Sequence, residues 1–301
     1  MLEMLEMMRP LNGIMGMVGV LAGGVIALGS LSAVLTAPFL FALAAVFLIT
    51  GAGNVFNDYV DIEADRINRP ERPIPSGKVR RNSALVFSIV LFLTGNFFAL
   101  MINGLCFTIA LLNSALLILY SVSLQHKILL GNLTIGYLVG SIFLFGGAVF
   151  LKVNLVLILA ALAMLTTITR EIVKDLEDME GDRKSFLKKL TSGFSGIASS
   201  IAERFGLTTE GVRMKYREKT MVMLAVFCLM LAVVMSFLPF YYGILGAGYL
   251  LVVAVADIIF ISCAYSLWKE GRKRKGYSRV SRRLKLGMFI ALIAFIAGAL
   301  I

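Results

Sequence analysis

The sequence predicts an all-α integral membrane protein of about nine transmembrane helices, two parallel four-helix halves plus a ninth helix, with polar cap loops on the cytoplasmic side. Three observations lead there. The 301 residues are 59% hydrophobic and only 16% charged, with a mean hydropathy of +0.89, far outside the soluble globular range. Nine apolar runs approach the roughly 20 residues a helix needs to cross hydrocarbon. Two acidic clusters then repeat at one separation: Asp58 and Asp175, Asp61 and Asp178, Asp65 and Asp182 each lie 117 positions apart, as do Arg66 and Arg183.

The runs fall at 11–34, 38–58, 83–102, 104–122, 131–151, 153–175, 219–239, 242–268 and 284–301. The long polar segments between them are 59–82, 183–218 and 269–283. If the N-terminus is on one side, nine crossings place all three segments, and the short loop 123–130, on that same side. Of the 29 Lys and Arg, only Lys152 then falls opposite. This bias makes the N-terminal side cytoplasmic and places the C-terminus outside. A net charge of +11 reads as basic loops beside lipid headgroups rather than a nucleic-acid surface. Cys106, Cys228 and Cys263 lie in apolar runs with no Cys or His nearby, which argues against a disulfide framework or a zinc site. The lone His126 reads as a solvated loop residue. No cleavable signal peptide is expected.

The clusters sit four crossings apart, and an even number of crossings preserves direction, so the repeat is parallel. At about 100° per residue, Asn54, Asn57, Asp58, Asp61 and Asp65 form one polar stripe that emerges from the second run. Glu171, Lys174, Asp175, Asp178 and Asp182 take the matching positions on the sixth. Carboxylates three and four apart repel unless a cation lies among them. Mg²⁺ fits, because it takes hard oxygen ligands and keeps positions for water and phosphate oxygens. One cluster alone would read as acids solvating a helix end; two with the same spacing point to metal ions gripping a diphosphate. The loop RINRPERPIPSGKVRR (66–81) adds Arg66, Arg72 and Lys78, and its prolines stop it from continuing as a helix.

At these residues the chain resembles the UbiA superfamily of intramembrane prenyltransferases. The resemblance is carried by NDYVDIEAD (57–65), NRPERPIPSG (68–77) and DLEDMEGD (175–182). RPLN (9–12), YS (120–121) and GNL (131–133) also fit, so it extends over most of the chain. Within the superfamily, REIVKDLEDMEGDR most resembles the archaeal digeranylgeranylglyceryl phosphate synthases. It implies a single transmembrane prenyltransferase domain over 1–301. In it two Mg²⁺ ions, held by Asn57, Asp58, Asp61, Asp65, Asp175, Asp178 and Asp182, grip an isoprenyl diphosphate donor. Loss of diphosphate leaves an allylic cation, captured by a glycerol hydroxyl in the lipid synthases or an aromatic carbon in the quinone enzymes. The expected reaction is geranylgeranyl transfer to geranylgeranylglyceryl phosphate, with prenylation of an aromatic acid or quinone precursor as the alternative. Among the ligands, Asn57, Asp61, Asp178 and Asp182 are favoured for direct metal contact.

Other residues have two readings each. Lys127 is a phosphate ligand or a topological charge. Tyr120 and Tyr137 line the chamber, stabilising the cation through their π faces, or are packing aromatics. Arg9 reaches an acceptor's phosphate or anchors the interface. Asp257, mid-span, reads as a protonated or hydrogen-bonded structural acid. Segment 184–218 is longer than the family's usual loop, and FSGIASSIAERFGL (194–207) has the spacing of a helix lying on the membrane surface, as a lid or an anchor. A transporter would also explain many spans, a repeat and buried charge, but transporters place polar sites near the midplane, whereas these acids share one face. A CDP-alcohol phosphotransferase is disfavoured, since its aspartate-glycine start and alanine-arginine pair are missing.

Overall fold

The computed structural model describes residues 2–193, 207–270 and 274–300. Every regular element among them is helical. The long helices are α1 (Pro10–Leu28), α2 (Ala37–Val60), α3 (Arg81–Leu100), α4 (Gly104–Val122), α5 (Ile128–Ala148), α6 (Val153–Gly193), α7 (Leu207–Met235), α8 (Ala247–Glu270) and α9 (Arg274–Leu300). Eight of these, α1 to α8, are long and apolar enough to cross a membrane. In α9 the basic residues from Arg274 to Lys285 leave only 286–300 apolar, shorter than the roughly 20 residues of a full crossing.

Local chemistry sets the helix ends. Pro10 opens α1, where its missing N–H costs nothing. Gly29, at φ 68°, closes it with an N–H donated to the Val25 carbonyl. The first run therefore stops as a helix at Leu28, short of the expected residue 34. The Asn103 side chain caps α4 by accepting from the Cys106 N–H. Two other expectations need correction. The polar segment 183–218 is no loop at either end: 184–193 continues α6 and 207–218 begins α7. The amphipathic stretch 194–207 lies outside the described residues except for its last position. Likewise 274–283 is helical and belongs to α9. In both places the apolar run ends while the helix continues, because backbone hydrogen bonds do not depend on side-chain apolarity.

Each helix packs on the next from α1 to α9, and α9 returns against α1 and α6, so the bundle closes on itself. The pairs α1–α2, α2–α3 and α3–α4 recur as α5–α6, α6–α7 and α7–α8. The first helices of these two sets, α1 and α5, meet at backbone distance. A Cβ on Gly23 would overlap the Phe143 carbonyl oxygen, and one on Gly146 the Val20 carbonyl oxygen, the small-residue approach typical of helices in lipid. The basic loop after α2 is pinned to the α1–α4 side by buried Ile74 and Val79. Exposed side chains such as Leu93, Phe97, Phe227, Leu251 and Ile258 form an apolar exterior suited to hydrocarbon.

Candidate active site

The acidic stripe of α2 is not carried by one unbroken helix. Asp61 (φ −82°, ψ 11°) separates α2 from a short helix, Ile62–Asn68. The i→i−4 bonds nevertheless run through it, from the Asp61 N–H to the Asn57 carbonyl at 2.9 Å and from the Asp65 N–H to the Asp61 carbonyl at 2.8 Å. Asp58 and Asp65 therefore share a face, and both are buried.

These two carboxylates are neutralised by arginine. Arg72 Nη1 donates to Asp65 Oδ2 at 2.6 Å and to Asp58 Oδ1 at 3.1 Å. Arg9 Nη2 donates to the same Asp58 oxygen at 2.7 Å. Arg72 reaches them because Pro73 and Ile74, which follow it, are buried, while Arg9 stands at the mouth of α1 with φ 50°. Arg66 is not brought in; it pairs with Glu63 at 3.0 Å in an exposed position. Arg81 stacks over the Tyr59 ring at 4.6 Å.

Asp61 has different company. Its Oδ1 accepts from Gln125 Nε2 at 2.8 Å and its Oδ2 from Asn57 Nδ2 at 2.9 Å. Gln125 lies on the short 3₁₀ turn Leu124–His126 that links α4 to α5. Its Nε2 also donates to the Ser121 carbonyl at 2.8 Å. On the other acidic helix, Asp175 Oδ2 accepts from buried Asn132 Nδ2, in α5, at 2.8 Å. Each set thus draws a partner from the start of the preceding helix in the repeat, Arg9 before α1 for Asp58 and Asn132 of α5 for Asp175.

Asp178 and Lys174 are exposed, as are Lys78 and Lys127. Glu171 accepts a hydrogen bond from Arg170 Nη2. Tyr120 and Tyr137 are half-buried. Asn54 is occupied in holding the N-terminus, donating from Nδ2 to the Met8 carbonyl at 2.9 Å. The Asp182 side chain lies outside the described residues. Gln125 is a contributor that no sequence motif marks, while Asn132 falls within GNL (131–133) and Arg170 within REIVKDLEDMEGDR, though neither motif assigns it a role. Gln125 and Asn132 lie far along the chain from the carboxylates they touch, and an amide next to an apolar run carries no periodic signal.

The donor chemistry suits a hard divalent cation. Among the described residues no three His, Cys, Asp or Glu side chains converge on one point. Mg²⁺ does not need three, since it is held by one or two carboxylates with water and phosphate oxygens completing its shell. Among the described residues Asp61 and Asp175 accept from neutral amides and from no guanidinium, which leaves spare carboxylate lone pairs on each. Asp58 and Asp65, by contrast, already have guanidinium partners.

The model of the UbiA prenyltransferase family matches residues 16–293. The digeranylgeranylglyceryl phosphate synthase of Methanosarcina mazei is 45% identical over 84% of this chain and 79% of its own. That of Methanococcoides burtonii is 42% identical over 98% of this chain and 99% of its own. A solved digeranylgeranylglyceryl phosphate synthase, 37% identical, superimposes with a TM-score of 0.80 over 99% of this chain and 98% of its own. A UbiA homologue from Archaeoglobus fulgidus, bound to GPP and Mg²⁺, shares the fold at 14% identity, with a TM-score of 0.55 over 96% of this chain and 99% of its own. With matching acidic helices, a closed helical bundle and full-length similarity to these proteins, the chain belongs to the UbiA prenyltransferase family.

Proposed function

We propose that the protein is a Mg²⁺-dependent geranylgeranyltransferase that alkylates the free hydroxyl of geranylgeranylglyceryl phosphate, the second prenyl transfer of archaeal ether-lipid synthesis. The observation that carries the reading is the split among the carboxylates. Asp58 and Asp65 are committed to Arg9 and Arg72, while Asp61 and Asp175 rest on amides and remain free to take cations. Full-length identity to the synthase of Methanococcoides burtonii supports the choice of acceptor. The A. fulgidus homologue bound to GPP and Mg²⁺ supports the metal and the donor class.

In this reading Asp61 with Asn57, and Asp175 with Asp178 and Asp182, hold one Mg²⁺ from each half. A Mg²⁺ held there would supply Lewis-acid stabilisation of the departing diphosphate. Gln125 and Asn132 fix the carboxylate rotamers from behind. Arg72 and Arg9 keep the buried pair Asp58 and Asp65 from repelling the anion, and Lys78, Lys127 and Lys174 add positive charge around it. The C1–O bond of the donor breaks with its electron pair leaving on diphosphate. The acceptor hydroxyl oxygen forms the new C–O bond, and its proton passes to a diphosphate oxygen. Tyr120 and Tyr137 offer π faces to the allylic cation. In this reading the basic loops face the cytoplasm, and α9, whose 27 residues are long enough although its apolar part is short, makes a ninth crossing with the C-terminus outside.

The test is single-turnover transfer from radiolabelled geranylgeranyl diphosphate in detergent, with Mg²⁺ or with EDTA. Geranylgeranylglyceryl phosphate and 4-hydroxybenzoate are offered in parallel. Ether-lipid product that requires Mg²⁺ and is lost in Asp61→Ala and Asp178→Ala is the expected result. Product with the aromatic alone would move the protein to quinone synthesis. Absence of Mg²⁺-dependent donor binding would overturn the metal–diphosphate reading altogether.

A further inference from the structure

A cavity of 460 Å³ lies between α6, α7, α8 and α9, closed by Val139 and Phe143 of α5 and Met15 of α1. Its wall changes character along its length. On α6 the lining passes from Leu159 through Ala163 to Thr167 and ends at Arg170. On α9 it passes from Phe295 through Met288 and ends at Lys285. At about 1.5 Å per residue, the apolar and cationic ends are about 15 Å apart. The cationic end lies toward the acidic helices, since Arg170 precedes Asp175 by five residues, about 7 Å along the same axis. Asp257, elsewhere in the wall, is engaged by the Ser236 hydroxyl at 2.8 Å.

Two features call for a ligand. Thr167 Oγ1 is buried with no hydrogen-bond partner, although Thr166 and Thr169 on the same helix bond back to the Leu162 and Leu165 carbonyls at 2.9 and 3.0 Å. Leaving such a hydroxyl unsatisfied is unfavourable, and a ligand oxygen would offset it. The second is a pair of cations at one end of a mostly apolar space. Arg170 gives one nitrogen to Glu171, and a guanidinium has five N–H donors, so the rest of its fork is available to an anion.

We propose that this cavity is the acceptor site. Arg170 and Lys285 take the phosphate of a prenylated glyceryl phosphate, Thr167 donates to a glyceryl oxygen, and the isoprenoid chain lies against Ala163, Met288 and Leu159. The order cation, hydroxyl, apolar wall reproduces the order phosphate, glycerol, isoprenoid. Two cations, exposed Lys285 and Arg170 with its remaining donors, suit a dianionic monoester, whereas the more highly charged diphosphate goes to the metal-bearing carboxylates. The assignment rests on the prenyl-transfer reading, and it separates the two substrates by charge.

The test uses the full chain in lipid nanodiscs. Binding of labelled geranylgeranylglyceryl phosphate is measured in EDTA without donor, and acceptor and donor KM are measured in turnover with Mg²⁺. Geranylgeranylglycerol serves as the acceptor that lacks phosphate. Lys285→Ala is expected to weaken acceptor binding and raise acceptor KM about tenfold, leave donor KM within twofold, and be rescued by Lys285→Arg. Its penalty should vanish with geranylgeranylglycerol, whereas Thr167→Val should impair both acceptors about equally. An equal Lys285→Ala penalty on both acceptors would reduce the residue to a structural role and overturn the site. A change in donor KM instead would give the cavity to the donor chain. Wild-type protein that binds acceptor with this Lys285 dependence but transfers nothing would keep the site and overturn the reaction. Turnover with unchanged Lys285→Ala binding would do the reverse.

Discussion

Replacing Arg72 by leucine removes the one guanidinium that bridges two buried carboxylates. Asp58 and Asp65 side chains are 7% and 9% exposed and that of Arg72 18%, so solvent screens the pair weakly. Breaking a buried pair by deleting one partner costs about 3–5 kcal/mol, because a charge is left uncompensated. Arg9 remains on Asp58 at 2.7 Å, so the lower end, about 3 kcal/mol, applies. The cost falls first on the loop that Arg72 anchors, whose own backbone bonds are few: Ser76 N–H to the Arg72 carbonyl at 3.0 Å, Gly77 to Ile74 at 3.0 Å and Val79 to Pro73 at 2.9 Å. Hydrogen exchange of those amides reports local opening directly. At 1.4 kcal/mol per decade, Arg72→Leu should speed their exchange about 100-fold, while amides in the middle of α2 stay unchanged. Adding Asp65→Asn, which removes the stranded charge, should recover most of the protection. An acceleration of threefold or less, or no recovery in the double variant, would refute the claim that Arg72 holds the loop through these carboxylates.

Gly23→Ala should lower the thermal stability of the detergent-solubilised protein by about 1–3 kcal/mol or more, because the new methyl meets the Phe143 backbone oxygen rather than a side chain that can turn away. Gly104→Ala, where a Cβ meets open space, is the control, and equal losses at both sites would show that the α1–α5 contact is looser than described. Gln125→Leu strips an amide from Asp61 while leaving every carboxylate in place. Outer-shell losses of this kind cost about 10–100-fold in metal affinity, so the Mg²⁺ concentration for half-maximal donor binding should rise by that factor. An unchanged Mg²⁺ titration would separate Gln125 from the metal site.

Much of this protein is legible in one dimension. Hydropathy places eight spans at or near their structural positions, because crossing hydrocarbon demands a continuous apolar run and every residue in it reports on that demand. The repeat of Asp58, Asp61 and Asp65 as Asp175, Asp178 and Asp182 is visible for a related reason: a polar stripe on a helix has a fixed period. Where the demand ends, so does the signal. The extension of α6 to Gly193 and the helical start of α9 lie beyond the apolar runs, where sequence no longer distinguishes helix from loop. Nor does it assign partners. Asp58 and Asp61 sit three apart on one stripe, yet one is bound by Arg9, 49 residues away, and the other by Gln125, 64 residues away. Arg170, Lys285 and Thr167 come to one cavity only because α9 folds back onto α6. The sequence by itself determined a membrane bundle with two acidic helices, because burial and periodicity are local properties. The packing of distant helices decided which carboxylates are neutralised and which stay open to a cation, because that choice depends on charges brought within a few ångströms across the chain.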